Sequence, residues 1–155
     1  MGSFVRSISF ASLARRIGGE RFVPGYLVFA DGLLNVVERN GERVALLSPR
    51  FSLEGVVDLD RERDGVVVQR VASHPAGGWV VLSKPGGMIT RYGADGTRQT
   101  LGISEEQRSQ LGNAFGLAVL ENGTLVVSDR SRDELVFFGD SERRSISETG
   151  IGEAP

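Results

Sequence analysis

The sequence predicts an all-β fold built from three four-stranded antiparallel units, because one pattern of strands and turns occurs three times. The three copies align without gaps and follow one another at intervals of about 46 residues. They read YLVFADGLLNVVERNGERVALLSP from Tyr26, VASHPAGGWVVLSKPGGMITRYGA from Val71 and LAVLENGTLVVSDRSRDELVFFGD from Leu117.

Each copy predicts its first three strands in the same order. An apolar strand is followed by a turn, a second strand, a short polar or glycine-containing segment and a third strand. The turns contain glycine, which tolerates the positive φ angles of tight hairpins. They are Asp31-Gly32, Ala76-Gly77 and Asn122-Gly123.

The fourth strand of each unit is predicted from segments that fall at the same position within the repeat. The tetrapeptide RSIS occurs at 144–147, after the third copy, and also at 6–9, before the first. RQTL at 98–101 and SLEG at 52–55 fall in the same phase. The predicted units are therefore 21–57, 66–103 and 114–147, with a lone strand at 4–10 and a tail at 148–155. The segments 13–25 and 104–116 each predict one helical turn.

A four-stranded unit of this repeat length is typical of a β-propeller blade. The segments are short, rich in Val, Leu and Phe, and separated by glycines, so a helical interpretation fits poorly. A β-sandwich with accidental internal similarity is the alternative fold.

Three blades are too few for a closed propeller, which typically has four to eight. We therefore predict half of a six-bladed ring, completed by a homodimer. The lone strand would then complete a blade of the partner or of the chain's own third copy. A fragment of a longer gene product and a curved open β domain are the alternatives.

Composition excludes several classes of function. The 155 residues include 18 basic and 20 acidic side chains and no cysteine, so disulfides and thiolate chemistry are excluded. A net charge of −2 gives no indication of nucleic-acid binding. The sequence has no apolar run of membrane-spanning length. The first 19 residues are rich in Arg and Ser, as in a mitochondrial transit peptide, but they also fit the repeat. We expect a cytoplasmic protein.

The third copy resembles the blades of NHL-repeat propellers and of the senescence marker protein/gluconolactonase and strictosidine synthase-like propellers. The resemblance lies in Gly116-Leu117-Ala118-Val119, the turn Asn122-Gly123, the strand that ends in Ser128-Asp129, and the apolar strand 135–138. It covers about 20–145 and is looser in the first two copies. Gluconolactonase-like enzymes bind a divalent metal in the central tunnel through Glu, Asn and Asp side chains.

That resemblance implies a candidate site at the end of the second strand of each blade. Asp129 matches the family pattern, and Glu38 and Ser83 are its equivalents in the other copies. We predict Asp129, Glu38 and Ser83 as ligand-binding residues, with Asp129 and Glu38 as ligands if a divalent metal such as Ca²⁺ or Zn²⁺ binds. The alternative is that Asp129 caps the following turn through backbone N–H groups.

Other polar residues favour structural interpretations. The acidic segment 58–65 matches a calcium loop poorly, because Arg61 and Arg63 lie among the would-be ligands, and we interpret it as a solvated turn. The sole histidine, His74, is interpreted as a packed or turn residue, and Trp79 as part of the core. Basic and acidic residues alternate over 130–134, which indicates a solvated surface rather than a phosphate site.

Two functional hypotheses follow. The first is a non-catalytic module that binds a small ligand or a protein, because the repeats bring no convergent set of reactive side chains. The alternative is a metal-dependent gluconolactonase-like hydrolase of the lactonase or esterase type.

Overall fold

Three four-stranded antiparallel sheets follow one another along the chain, each formed by four consecutive strands. The computed structural model describes residues 7–16, 21–60, 65–85, 87–101, 103–139 and 143–147. Within every sheet the strand order in space equals the order in sequence. The predicted all-β fold of three blades is therefore confirmed.

The strand boundaries follow the predicted copies closely. The first blade contains β1 (Pro24–Ala30), β2 (Leu33–Glu38), β3 (Arg43–Leu47) and β4 (Leu53–Asp58). The second contains β5 (Val67–Ser73), β6 (Trp79–Lys84), β7 (Met88–Tyr92) and the short β8 (Arg98–Gln99). The third contains β9 (Ala114–Val119), β10 (Leu125–Asp129), β11 (Glu134–Phe138) and β12 (Arg143–Ser147).

The blades pack face to face, with β1 beside β5 and β5 beside β9. One apolar cluster joins the first two blades and includes Val37, Val44 and Trp79. A second cluster, which includes Leu82 and Val127, joins the second and third blades. Burial of these side chains stabilises the stack, because each contributes about 1.5–3 kcal/mol relative to exposure.

The ungapped alignment of the repeats fails by one residue in β1. Leu27 pairs with Val36, whereas the corresponding pairs are Val71 with Val81 and Leu117 with Val127 in the other blades. The turn after β1 is one residue shorter, and its Asp31 and Gly32 both have positive φ (52° and 74°). The structural equivalent of Val71 is therefore Leu27 rather than Tyr26.

The first strand of each blade carries a β-bulge at one equivalent position. The ladder skips Gly25 in β1, Gln69 in β5 and Phe115 in β9, each beside the end of the second strand. A bulge leaves one residue out of the pairing and redirects its side chain. The sequence pattern did not predict these bulges.

The N-terminal segment differs from the prediction of a lone strand at 4–10. Residues 7–9 are not in a strand, and α1 (Phe10–Ala14) begins at Phe10; residues 4–6 lie outside the described part. The Phe10 ring stacks on Phe22, with centroids 5.0 Å apart, and both pack beside Val36 on the first blade. Packing against the blade, rather than strand pairing, therefore determines the position of this segment.

The other short elements agree better with the sequence. The helix α2 (Glu105–Ser109) lies within the predicted segment 104–116 and begins with a capping box formed by Ser104 and Gln107. The predicted tail at 148–155 lies outside the described residues. None of the described helices has the length and apolar character that a membrane-spanning helix needs.

Candidate functional site

Asp129 is the last residue of β10, and its carboxylate binds the segment that leads into β9. Oδ2 accepts the Gly112 amide at 2.7 Å, and Oδ1 accepts the Asn113 amide at 3.0 Å. Oδ1 also accepts the amide and hydroxyl of Ser131, at 3.1 and 2.9 Å. With 1% of its surface exposed, Asp129 joins two neighbouring chain segments through four hydrogen bonds.

These bonds explain the acidity of Asp129. Burial acts to raise its pKa, but the hydrogen bonds from Gly112, Asn113 and Ser131 favour the ionised form and outweigh burial. The result is a pKa lowered from 3.8 to about 2. The carboxylate is therefore fully ionised at neutral pH and committed to backbone and hydroxyl donors.

Glu38 occupies the same repeat position in the first blade and is also buried. Its two carboxylate oxygens accept hydrogen bonds from Arg43, from Nη2 at 2.8 Å and from Nε at 3.0 Å. Arg43 Nη2 also donates to the Arg21 carbonyl at 2.7 Å. Glu38 thereby joins β2 to β3 and, through Arg43, to the segment before β1.

The repeat position at the end of the second strand therefore has a shared structural role in the first and third blades. In both blades the carboxylate connects the second strand to the residues that precede the first, innermost strand. Asp129 binds those residues directly, whereas Glu38 reaches them through Arg43. A backbone bond repeats beside it, since the Arg39 amide donates to Val23 and the Arg130 amide to Asn113. Ser83 holds the position in the second blade and is buried as well.

A divalent metal does not fit this arrangement of donors. The four hydrogen bonds that Asp129 accepts use its lone pairs, and the Arg43 guanidinium beside Glu38 would repel a cation. Among the described residues, no group of three or more His, Asp or Glu side chains could hold a metal ion. The three predicted residues lie at equivalent positions on separate blades, and the carboxylates are engaged within their own blades.

The remaining candidates have structural roles in the described residues. The His74 Nδ1 accepts the Ala76 amide at 3.1 Å in the turn after β5, and burial followed by the charge of Arg91 lowers its pKa. Trp79 is buried, as predicted, and donates its Nε1–H to Asn35. Asp60 forms an exposed ion pair with Arg98; residues 61–64 of the acidic segment lie outside the described part.

Sequence reasoning missed a basic residue directly after the predicted site in every blade. Arg39, Lys84 and Arg130 occupy equivalent positions and are all exposed. We call these three residues the basic rim. The signal was present in the sequence, in the pairs Glu38-Arg39, Ser83-Lys84 and Asp129-Arg130, but alternating charge was interpreted as a solvated surface.

A cleft of about 480 Å³ opens at the same end of the first two blades. Arg21 and Arg39 bring positive charge to its wall, and Asn40 supplies an amide. The lining also includes the Glu38 carboxylate and the apolar residues Val23, Val66 and Val67. The cleft is therefore a partly apolar opening with two cationic side chains and one carboxylate in its lining, and it borders the basic rim at Arg39.

No family model and no curated protein sequence matches the chain. Its fold is similar to that of virginiamycin B lyase from Staphylococcus aureus, at 13% identity and a TM-score of 0.53 over 80% of this chain. It is also similar to a streptogramin B lyase structure, at 12% identity and a TM-score of 0.51 over 80% of the chain. These lyases are β-propellers, so the likeness identifies propeller-type blades. The chain spans 41% and 40% of the lengths of these two proteins.

Proposed function

We propose that the chain is a non-catalytic ligand- or protein-binding module of β-propeller type, completed to a ring by a second copy of itself. The observation that carries the proposal is the exposure of apolar side chains on the face of the first blade that points away from the second. Leu27 and Phe29 of β1 are each 69% exposed, although they stand at positions that other blades cover. This exposed apolar face indicates an interaction surface rather than a set of reactive groups.

The third blade provides the internal reference for the first. Leu117 and Val119 are the equivalents of Leu27 and Phe29, and both pack into the cluster between the second and third blades. The described part of the N-terminal segment covers Val36, and Leu27 and Phe29 of β1 remain exposed beside it. The repeat thus predicts that the face of another blade packs against Leu27 and Phe29.

The third blade presents the complementary face at the opposite end of the stack. Leu135 is 46% exposed, whereas its equivalent Ile89 is 6% exposed and packs in the cluster against the third blade. Val126 and Phe137 lie on the same face as Leu135 and are partly exposed. This face corresponds to the one by which the second blade contacts the third.

A second copy satisfies both faces at once. The third blade of each copy would pack on the first blade of the other, and the two contacts are related by a two-fold axis, so the assembly closes. Six blades fall within the usual range for propellers. The contact would be made mainly by the innermost strands, because α1 covers part of the first blade.

Sedimentation over a range of concentrations tests this assembly. We expect a species of twice the chain mass of 16.7 kDa, which Phe29→Asp and Leu135→Asp shift to monomer. Val67→Asp is the matched control, since Val67 is 61% exposed but lies on the middle blade. A 16.7 kDa monomer at all concentrations would contradict the ring, as would equal effects of the three variants.

The metal-dependent hydrolase is the second candidate, and it has a separate test. Calorimetric titration of the protein with Ca²⁺ and Zn²⁺, with Asp129→Ala as the comparison, detects a metal site at this position. Because the Asp129 carboxylate already accepts four hydrogen bonds, we expect no stoichiometric heat. Saturable binding that Asp129→Ala removes would favour the hydrolase over the binding module.

A further inference from the structure

The basic rim collects positive charge at one end of the blade stack. In an antiparallel blade the second strand ends where the first strand begins, so Arg39, Lys84 and Arg130 all lie near the starts of the innermost strands. Each follows a buried residue and is itself exposed. The repeat therefore places three cationic residues at the end of the blade stack where the first strand of each blade begins. We call this the inner end.

A fourth cation joins this end through an aromatic ring. The guanidinium carbon of Arg130 lies 4.4 Å from the centroid of the Phe115 ring, and that of Arg70 lies 4.3 Å from it. Arg70 belongs to β5 and Phe115 to β9, so the ring brings cations of two blades together. Each cation–π contact is favourable, because the face of the ring carries partial negative charge. The two like charges nevertheless repel one another, and a bound anion would relieve that repulsion.

The nearest carboxylates in sequence do not neutralise the rim. Glu38 is engaged by Arg43, and Asp129 by the amides of Gly112 and Asn113 and by Ser131. Within the described ranges, no ion pair involves a residue of the basic rim. The charge of the rim is thus available although the whole chain is slightly acidic.

A buried amide lacks partners on the same innermost strand. Gln69 is 7% exposed, and neither its Nε2 nor its Oε1 has a hydrogen-bond partner. It is the bulge residue of β5, equivalent to Phe115, and it precedes Arg70 in the chain. A buried amide without partners is unfavourable, and an ordered water or a polar group of a ligand would relieve that cost.

We propose that this inner end binds a small organic polyanion carrying carboxylate or phosphate groups. The basic rim and Arg70 supply the positive charge, and a ligand group that reaches the buried Gln69 amide would meet one donor and one acceptor. The cleft lined by Arg21, Glu38 and Arg39 leaves room for a ligand beside Arg39. The inference names the ligand class for the binding function proposed above, and it does not depend on the second copy.

Calorimetric titration with citrate and, separately, with inorganic phosphate at low salt tests the site. We expect saturable binding of at least one probe, weakened by added sodium chloride because exposed charges are screened. Arg39→Ala, Lys84→Ala and Arg130→Ala should each weaken it about fivefold, near the upper limit for an exposed ion pair. Reversing all three rim charges to Glu should abolish it.

Arg50→Ala is the matched control, since Arg50 is exposed in the turn between β3 and β4, at the other end of the first blade. Its affinity should equal that of the unaltered protein. The two probes distinguish a carboxylate ligand from a phosphate ligand.

Binding that survives the triple reversal, equal loss in Arg50→Ala, or no binding of either probe would overturn the proposal. Lys84→Ala and Arg39→Ala guard against misfolding as a cause, because the side chains of these residues make no described ion pair or ring contact. The solution mass is measured separately, so failure of the anion site and failure of the ring are distinguishable.

Discussion

The carboxylate of Asp129 accepts the backbone amide of Gly112 at 2.7 Å, which joins the end of β10 to the segment before β9. Gly112 and Asp129 are 17 residues apart in the chain. The bond fixes the point at which the third blade begins, and it places Arg130, the next residue, at the inner end of the stack. Asp129 therefore has a positioning role, because it orients the part of the third blade that carries Arg130 of the basic rim.

We expect Asp129→Asn to lower the free energy of unfolding by about 2–3 kcal/mol at pH 7, because a charged acceptor of several hydrogen bonds is replaced by an amide. Urea unfolding measures the change. Asp95→Asn is the control, since Asp95 also accepts bonds from Thr97 but is exposed, and its effect should be much smaller. Equal effects of the two substitutions would contradict a special role for Asp129.

The stability of the fold should depend on pH through the ionisation of Asp129. The pKa of Asp129 is lowered on folding, from 3.8 to about 2, so its contribution is present above pH 4 and is lost as the pH falls toward 2. The contribution corresponds to roughly 2 kcal/mol. Unfolding measured from pH 5 to pH 2 should show the difference between the protein and Asp129→Asn shrinking toward acid. A constant difference would contradict this assignment.

Gly112→Ala tests how closely the two segments approach. A Cβ at Gly112 would lie 2.0 Å from the Ser131 Oγ, which is itself held by the Asp129 carboxylate. We expect a loss of about 1–3 kcal/mol in the free energy of unfolding. Gly55→Ala is the control, because a Cβ there meets nothing within 4 Å, and stability should be unchanged or slightly higher. Thermal unfolding of the pair provides the comparison.

The sequence predicts the hairpins better than the connections between them. Turns such as Asn122-Gly123 have local signals, because glycine permits a backbone that other residues avoid. The shorter turn at Asp31-Gly32 has such a signal too, but its length changes the register of β1, which an ungapped alignment hides. The bulges at Gln69 and Phe115 have no local signal, since they depend on how neighbouring strands meet.

The candidate site was only partly predictable for a related reason. The position of Asp129 was predicted, but its partners are backbone amides of Gly112 and Asn113, which any residue type provides, and so the sequence does not identify them. The bond between Glu38 and Arg43 joins side chains five residues apart and could have been inferred. The sequence shows acidic and basic residues side by side at Asp129 and Arg130. Only the structure shows that the carboxylate is buried whereas Arg130 is exposed.

The ion pair between Glu38 and Arg43 should behave as a buried pair. We expect Arg43→Met to destabilise the fold by about 3–5 kcal/mol, because it leaves the buried Glu38 carboxylate without its guanidinium. Glu38→Gln combined with Arg43→Met should recover part of that loss. Arg98→Met is the control, as its pair with Asp60 is exposed and contributes less than about 1 kcal/mol. A double variant no more stable than Arg43→Met alone would contradict the coupling.

The bond between Trp79 and Asn35 should hold the first two blades together. The indole Nε1 donates to the Asn35 Oδ1 at 3.0 Å, and both residues are buried. Trp79→Phe leaves that oxygen without its donor, so we expect a loss of about 1–3 kcal/mol beyond the smaller apolar area. Adding Asn35→Leu removes the unpaired oxygen and should restore part of the stability, which urea unfolding would measure. Ser73 pairs with Trp79 across β5 and β6 within the second blade, so Ser73→Ala is the control. If that control costs as much as Trp79→Phe, the bond between the blades is not what stabilises them.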